Sequence, residues 1–183
     1  RKIMREEITA RIRTAMIAAG HDAIIAVSPE NFAYLTGFVV PSQADLRWRH
    51  AAAVLTADGN EAILCVDMEE TTVRAHAGKT NVRAWGEFTE NSMVVLADLL
   101  GELGLASARI GTEFDYLPAG DLRDLGSHVP LASLVPAEAM LHRLRQVKTT
   151  GEVDLLRRLS RISDTAIGTA FDVVETGTTE MDL

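Results

Sequence analysis

Ser28-Pro29-Glu30-Asn31-Phe32-Ala33-Tyr34-Leu35-Thr36-Gly37-Phe38 follows directly on the apolar run Ala23-Ile24-Ile25-Ala26-Val27. The run is short and unbroken, as a buried parallel strand would be. Ser28 offers an N-cap oxygen, Pro29 suits the first helical position, and Gly37 stops the short helix that follows. A strand feeding directly into a capped helix is the repeating unit of a layered α/β fold.

Upstream, Ile8, Ile12, Ala15, Met16 and Ala19 recur at helical spacing. They predict an amphipathic helix over 3–19 with Gly20 as its left-handed cap. Downstream, residues 38–49 have no clear period and contain Pro41, so they read as a long loop. Apolar runs at 51–56 and 61–66 flank Asp58-Gly59, a hairpin signal. Residues 67–77, 92–103 and 118–125 read as helices, and 82–85, 109–112 and 131–135 as strands. Alternating strands and helices with one hairpin predict an α/β domain built on a mixed β-sheet flanked by helices.

The character changes near residue 140. His142-Arg143-Leu144-Arg145-Gln146-Val147-Lys148 reads as a basic hinge. A long helical stripe follows from about Thr150, through Val153, Leu156, Leu159, Ser163, Ala166, Ile167, Ala170, Val173 and Val174, and ends at Gly177. Thr179 and Asp182 then stand at capping-box spacing. The expected division is therefore a domain over 1–142 and the opening helix of a second one over 143–183. A chain that stops on a helix start, and begins without Met, is expected to be a trimmed or truncated form.

Composition narrows the function classes. The chain has 183 residues, a hydrophobic fraction of 47% and a formal net charge of −8. That is enough apolar material for a sizeable core. An acidic chain with dispersed basic residues and 5% aromatics suits neither polyphosphate nor base stacking, so no nucleic-acid partner is expected. No apolar stretch reaches membrane-spanning length, and a cytoplasmic protein is expected. The single cysteine, Cys65, lies in an apolar run and reads as a buried strand residue. His21, His50, His76, His128 and His142 show no ligand-pair spacing, and nucleophile-elbow, Walker A and dinucleotide motifs are absent.

Three segments together resemble one family. The Asn31 to Phe38 stretch is similar to the N-x-x-Y-L-T-G-F segment of the creatinase/prolidase amino-terminal domain. Arg109-Ile110-Gly111-Thr112-Glu113 resembles its I-G-x-E strand. Arg145-Gln146-Val147-Lys148-Thr149-Thr150-Gly151-Glu152-Val153 resembles the R-x-x-K-[ST]-x-x-E-[IV] junction, and Gly177 to Glu180 the G-x-[ST]-E after the first catalytic helix. The resemblance implies a mixed-sheet domain followed by a pita-bread catalytic domain, of which only the first helix is present here. It implies a parent Xaa-Pro dipeptidase or aminopeptidase holding two divalent ions (Mn, Co or Zn) with two Asp, one His and two Glu. A creatinase-like, metal-independent amidinohydrolase and a catalytically inactive protein-binding module are the alternatives. It further implies the missing C-terminal domain as a partner, a homodimer, and a small peptide or amide substrate. No cofactor and no catalytic residue are expected within this chain. Asp154, Asp164, Asp172 and Asp182 have roughly the spacing of the family's paired acids, but they fall on or beside a helical pattern and read as solvated helix acids.

The candidate site residues are Arg47, Trp48, Arg49 and His50, at the end of the long loop. In the family this loop reaches the active site of the dimer partner. Arg49 matches in position a substrate-contacting arginine, although the F-G-R-P context is missing. The expectation is that Trp48 pins the loop while Arg49 projects toward a substrate carboxylate.

Overall fold

Six strands, β1 (Ala23–Ala26), β2 (Ala52–Thr56), β3 (Glu61–Val66), β4 (Asn81–Trp85), β5 (Arg109–Thr112) and β6 (Ser133–Pro136), form one mixed sheet in the order β4-β3-β2-β1-β5-β6. This is a computed structural model, and it describes residues 2–78 and 80–182. β2 runs antiparallel to both neighbours, while the β1–β5, β3–β4 and β5–β6 pairs are parallel. The hairpin forms at Asp58-Gly59, where Gly59 has φ +95°. The mixed sheet with flanking helices is the architecture expected from the strand–helix alternation.

The helices are α1 (Lys2–Ala18), α2 (Pro29–Thr36), α3 (Pro41–Asp45), α4 (Glu70–Ala77), α5 (Ser92–Glu102), α6 (Ala119–His128), α7 (Glu138–Gln146) and α8 (Thr150–Asp172). The crossovers β3-α4-β4 and β5-α6-β6 step toward opposite edges of the sheet. Crossovers of one hand must then put α4 and α6 on opposite faces. They do: Leu125 of α6 joins Met93, Leu96 and Leu100 of α5 against one face, and Val73 of α4 joins Ile12 and Met16 of α1 against the other. Ile12 and Met16 are almost wholly buried, and each contributes about 1.5–3 kcal/mol of apolar burial.

The cap at the deciding stretch is as its sequence requires. Ser28 Oγ accepts from Asn31 N at 3.2 Å, Pro29 opens α2, and Gly37 closes it at φ +81°.

Several expectations are corrected. The loop over 38–49 contains α3, a single turn whose Gln43 side chain turns inward and donates to the Val27 and Ala51 carbonyls. One turn is too short to show a period. The basic stretch read as a hinge is helical through Gln146, because Leu141 is buried and Met140 and Leu144 pack beside it on the α1 face of the sheet. Arg143 and Arg145 lie in the last turn of α7, where cations suit the helix dipole. α6 runs on to His128 and β6 begins only at Ser133, leaving Leu131 exposed in the turn between them. α8 ends at Asp172, so Val173 and Val174 lie beyond it.

The chain divides into two units, 2–147 and 148–182. The boundary expected at 142/143 falls inside α7. In the second unit α8 opens with a reciprocal capping box: Glu152 N donates to Thr149 Oγ1 at 3.2 Å, and Thr149 N to Glu152 Oε2 at 2.8 Å. None of its residues is buried. Before the short 3-10 turn Glu180–Asp182, only half of such a box forms: Thr179 N donates to Asp182 Oδ2 at 2.8 Å, while Asp182 N donates to the Thr179 backbone carbonyl at 3.0 Å.

Candidate functional site

Parallel strands aim their carboxyl ends at one edge of the sheet, and ligands of α/β folds collect there, at the point where the strand order reverses. In this sheet that point lies between β1, whose chain continues to β2 on one side, and β5, whose chain continues to β6 on the other. The protein fills it with its own carboxylate. Glu113, 1% exposed, accepts from Val27 N at 2.5 Å, Ser28 N at 2.9 Å and Asn31 Nδ2 at 2.6 Å. These donors are the two amides that lead into α2 and the side chain of Asn31 in its first turn, where the helix dipole also favours a negative group. The Asn31 segment and the Glu113 segment, far apart in sequence, thus meet as the two halves of one buried joint.

The Arg47–His50 segment crosses the same edge of the sheet just before β2. Each of its basic residues is tied to a different element. Arg47 donates to the Tyr116 carbonyl and places its guanidinium 4.8 Å from the Tyr116 ring centroid. Arg49 Nε donates to Glu87 Oε1, on the turn after β4, at 2.7 Å. His50, 4% exposed, has Nε2 2.9 Å from Asp121 Oδ2 on α6, and its carbonyl accepts from Trp85 Nε1 at 2.9 Å. A carboxylate only accepts, so Nε2 carries the proton, and Nδ1 is left buried without a partner among the described residues. Burial pushes the His50 pKa below the usual histidine value, against the opposing pull of Asp121.

Within the chain, Trp48 and Arg49 differ in exposure. Trp48 is 64% exposed, whereas the Arg49 side chain is 21% exposed and held by Glu87. The three basic residues of the segment, Arg47, Arg49 and His50, each meet an oxygen, on Tyr116, Glu87 and Asp121 in turn. Sequence reasoning missed Glu87, Tyr116 and Asp121, which follow β4 and β5 and carry no local signal of their association with residues 47–50.

The residues present do not fit a metal. Among the described residues no group of three or more His, Cys, Asp or Glu is placed to hold one. Asp154 bonds Arg157 at 3.1 Å on α8, and Asp164 and Asp172 stand on the same helix. Cys65 is buried in β3, where burial pushes its thiol up to about 12 and leaves it unreactive at neutral pH. No helix among the described residues is long and apolar enough to cross a membrane.

Residues 9–147 match the model of the creatinase/prolidase N-terminal domain. Among curated proteins the chain is similar to a creatinase of Bacillus sp. (strain B-0618), 25% identical over 98% of this chain and 43% of that protein. Among solved structures it is similar to a prolidase from Thermococcus sibiricus, with a TM-score of 0.73 and 18% identity over 98% of this chain and 47% of the other. It is also similar to the dipeptidase PepE from Mycobacterium ulcerans, with a TM-score of 0.66 and 27% identity over 83% of this chain and 39% of the other. The chain spans less than half the length of the curated relatives it matches. With the family model covering nearly all of the sheet-bearing unit, the chain belongs to the creatinase/prolidase family, as its N-terminal domain.

Proposed function

We propose that this chain is the non-catalytic, dimer-forming and active-site-capping part of a longer Xaa-Pro dipeptidase- or aminopeptidase-type metallohydrolase. The observation that carries the reading is the fold match, which runs through 97–98% of this chain and about half of each dipeptidase or prolidase. In this reading the catalytic residues and any metal ions belong to the other half of the parent. The protein is cytoplasmic, and the substrate is a small peptide or amide. Residues Arg47, Trp48, Arg49 and His50 face the active site of the partner subunit. Arg49 pairs there with a substrate carboxylate, because guanidinium offers a planar fork that lysine lacks.

A second reading, a creatinase-like amidinohydrolase that works without metal, is favoured by the creatinase match along 98% of the chain.

One experiment separates the two. Purified full-length protein is assayed on Xaa-Pro dipeptides with Mn²⁺ or Co²⁺, and on creatine with and without chelator. Dipeptide turnover abolished by chelator supports the first reading. Chelator-resistant creatine turnover replaces it with the second, and turnover of neither sinks both. Residues 1–183 alone are expected to be inactive on every substrate, and turnover by this fragment contradicts a non-catalytic role.

A further inference from the structure

The Arg49–Glu87 pair is asymmetric in a way that a simple surface ion pair is not. The Glu87 side chain is 10% exposed and that of Arg49 21%, so the carboxylate is set deeper than the cation it holds. Among the described residues, the hydrogen bond that Arg49 makes to Glu87 runs through Nε. A guanidinium has two edges that match a carboxylate, one along Nε and one across its two terminal nitrogens. Engagement at Nε leaves the terminal edge for a second anion.

The turn that carries Glu87 is fixed at both ends. Gly86 N donates to Glu90 Oε2 at 2.6 Å, and the Gly86 carbonyl accepts from Thr89 N and Glu90 N at 3.1 and 2.9 Å. The turn is so tight that a Cβ at Gly86 would lie 2.4 Å from Thr89 Oγ1. At its far end Asn91 accepts from Met93 N at 2.8 Å to cap α5, and donates to Asp124 Oδ2 on α6 at 2.7 Å. On the other side, Arg49 is bracketed by Arg47 on Tyr116 and His50 on Asp121. Both partners of the pair therefore sit on backbone with little freedom to move.

We propose that Glu87 is a positioning residue: it holds Arg49 by Nε so that the terminal edge of the guanidinium is presented to the carboxylate of the substrate. This rests on the reading above that Arg49 meets such a carboxylate. Pre-orienting the fork lowers the ordering cost of binding, so the effect belongs in KM for substrates with a free carboxylate.

The test uses full-length protein, an Xaa-Pro dipeptide and the same dipeptide with a C-terminal carboxamide. Glu87→Gln, Arg49→Ala and the double variant are compared with the parent, with thermal melting recorded for each. In Glu87→Gln, KM for the free acid is expected to rise about tenfold, with kcat changed by less than about twofold and the amide unaffected. In the Arg49→Ala background the Glu87→Gln change is expected to add nothing. An equal loss on acid and amide, or an effect that persists without Arg49, assigns Glu87 a merely structural role and overturns the proposal. If Arg49→Ala alters the acid-to-amide ratio while Glu87→Gln does not, only the positioning role falls. If Arg49→Ala leaves that ratio at the parent value, the carboxylate contact falls and the positioning role with it. If the parent turns over neither substrate, the peptidase reading fails and the positioning role goes with it.

Discussion

Helices α5 and α8 differ in the opposite sense from what their sequences advertise. α8 is the longer, 23 residues against 11. Its apolar residues Leu156, Leu159, Ile162 and Ile167 recur at helical spacing, yet they are 47–58% exposed. α5 buries seven residues, among them Met93, Leu96, Leu99 and Leu100, between the sheet and α6. Amphipathic periodicity states that a helix has a face to cover; it does not state that the cover is in the same chain. α5 is therefore held by tertiary packing. α8 depends on its capping box and short-range pairs such as Arg157–Asp154, and such exposed pairs contribute little.

The largest expected effect tests the sheet-bearing unit at its joint. Glu113→Ala leaves Val27 N, Ser28 N and Asn31 Nδ2 without their acceptor. Buried unsatisfied donors are costly, and a loss of about 3–5 kcal/mol is expected in urea unfolding followed by Trp85 fluorescence. A loss under about 1 kcal/mol would show that water or neighbours replace the carboxylate.

Gly111→Ala should come next. A Cβ there would lie 2.6 Å from Ile24 Cδ1 and 2.8 Å from Ala137 Cβ. Both neighbours are fully packed, so about 1–3 kcal/mol of overpacking is expected in the same assay. Full stability would mean that α7 can shift away from the sheet.

Thr149→Ala sharpens the contrast from the other side. It removes the N-cap of α8, worth about 1 kcal/mol of helix stability. Amide exchange over 150–172 should quicken while exchange in β1, β2 and β3 stays unchanged. Slowed or unaltered exchange in α8, or faster exchange in the strands, would break the distinction drawn between the two units.

The smallest effect is a pH dependence. Burial lowers the folded-state pKa of His50, so the unfolded chain binds a proton at higher pH than the folded one. Stability is then complete above the unfolded value of about 6.5 and declines as pH falls toward the folded value. Burial and Arg109 also lower the His21 pKa, and His21 adds to the same trend. His50→Gln should flatten part of the slope below pH 6.5, seen as a smaller pH shift in the unfolding midpoint. An unchanged slope would assign the dependence to other groups.

Much of the fold is legible because it is local. The Ser28-Pro29 cap, the Gly37 stop, the Asp58-Gly59 hairpin and the period of α1 each depend on residues within a turn or two of one another. α3 and α7 escaped for the same reason in reverse. The first is one turn held by Gln43 reaching to Val27 and Ala51, and the second is made helical by Leu141 docking beneath a run of basic residues. Of the candidate site, the position of Arg47 to His50 at the entry of β2 was readable, but not which side chain would face outward.

By itself the sequence determined the order and kind of most elements, the family, and the presence of an apolar stripe on α8. Only the tertiary structure decided that Asn31 and Glu113, 82 residues apart, share one buried joint. It also decided that Arg49 is held by Glu87 while Trp48 stands exposed, and that no residue of α8 is buried. The physical reason is range. Caps, turns and periods are set by steric and hydrogen-bonding preferences of neighbouring residues, whereas the partner of a buried carboxylate or a half-buried guanidinium is set by strand order and crossover direction. No short stretch of sequence contains those.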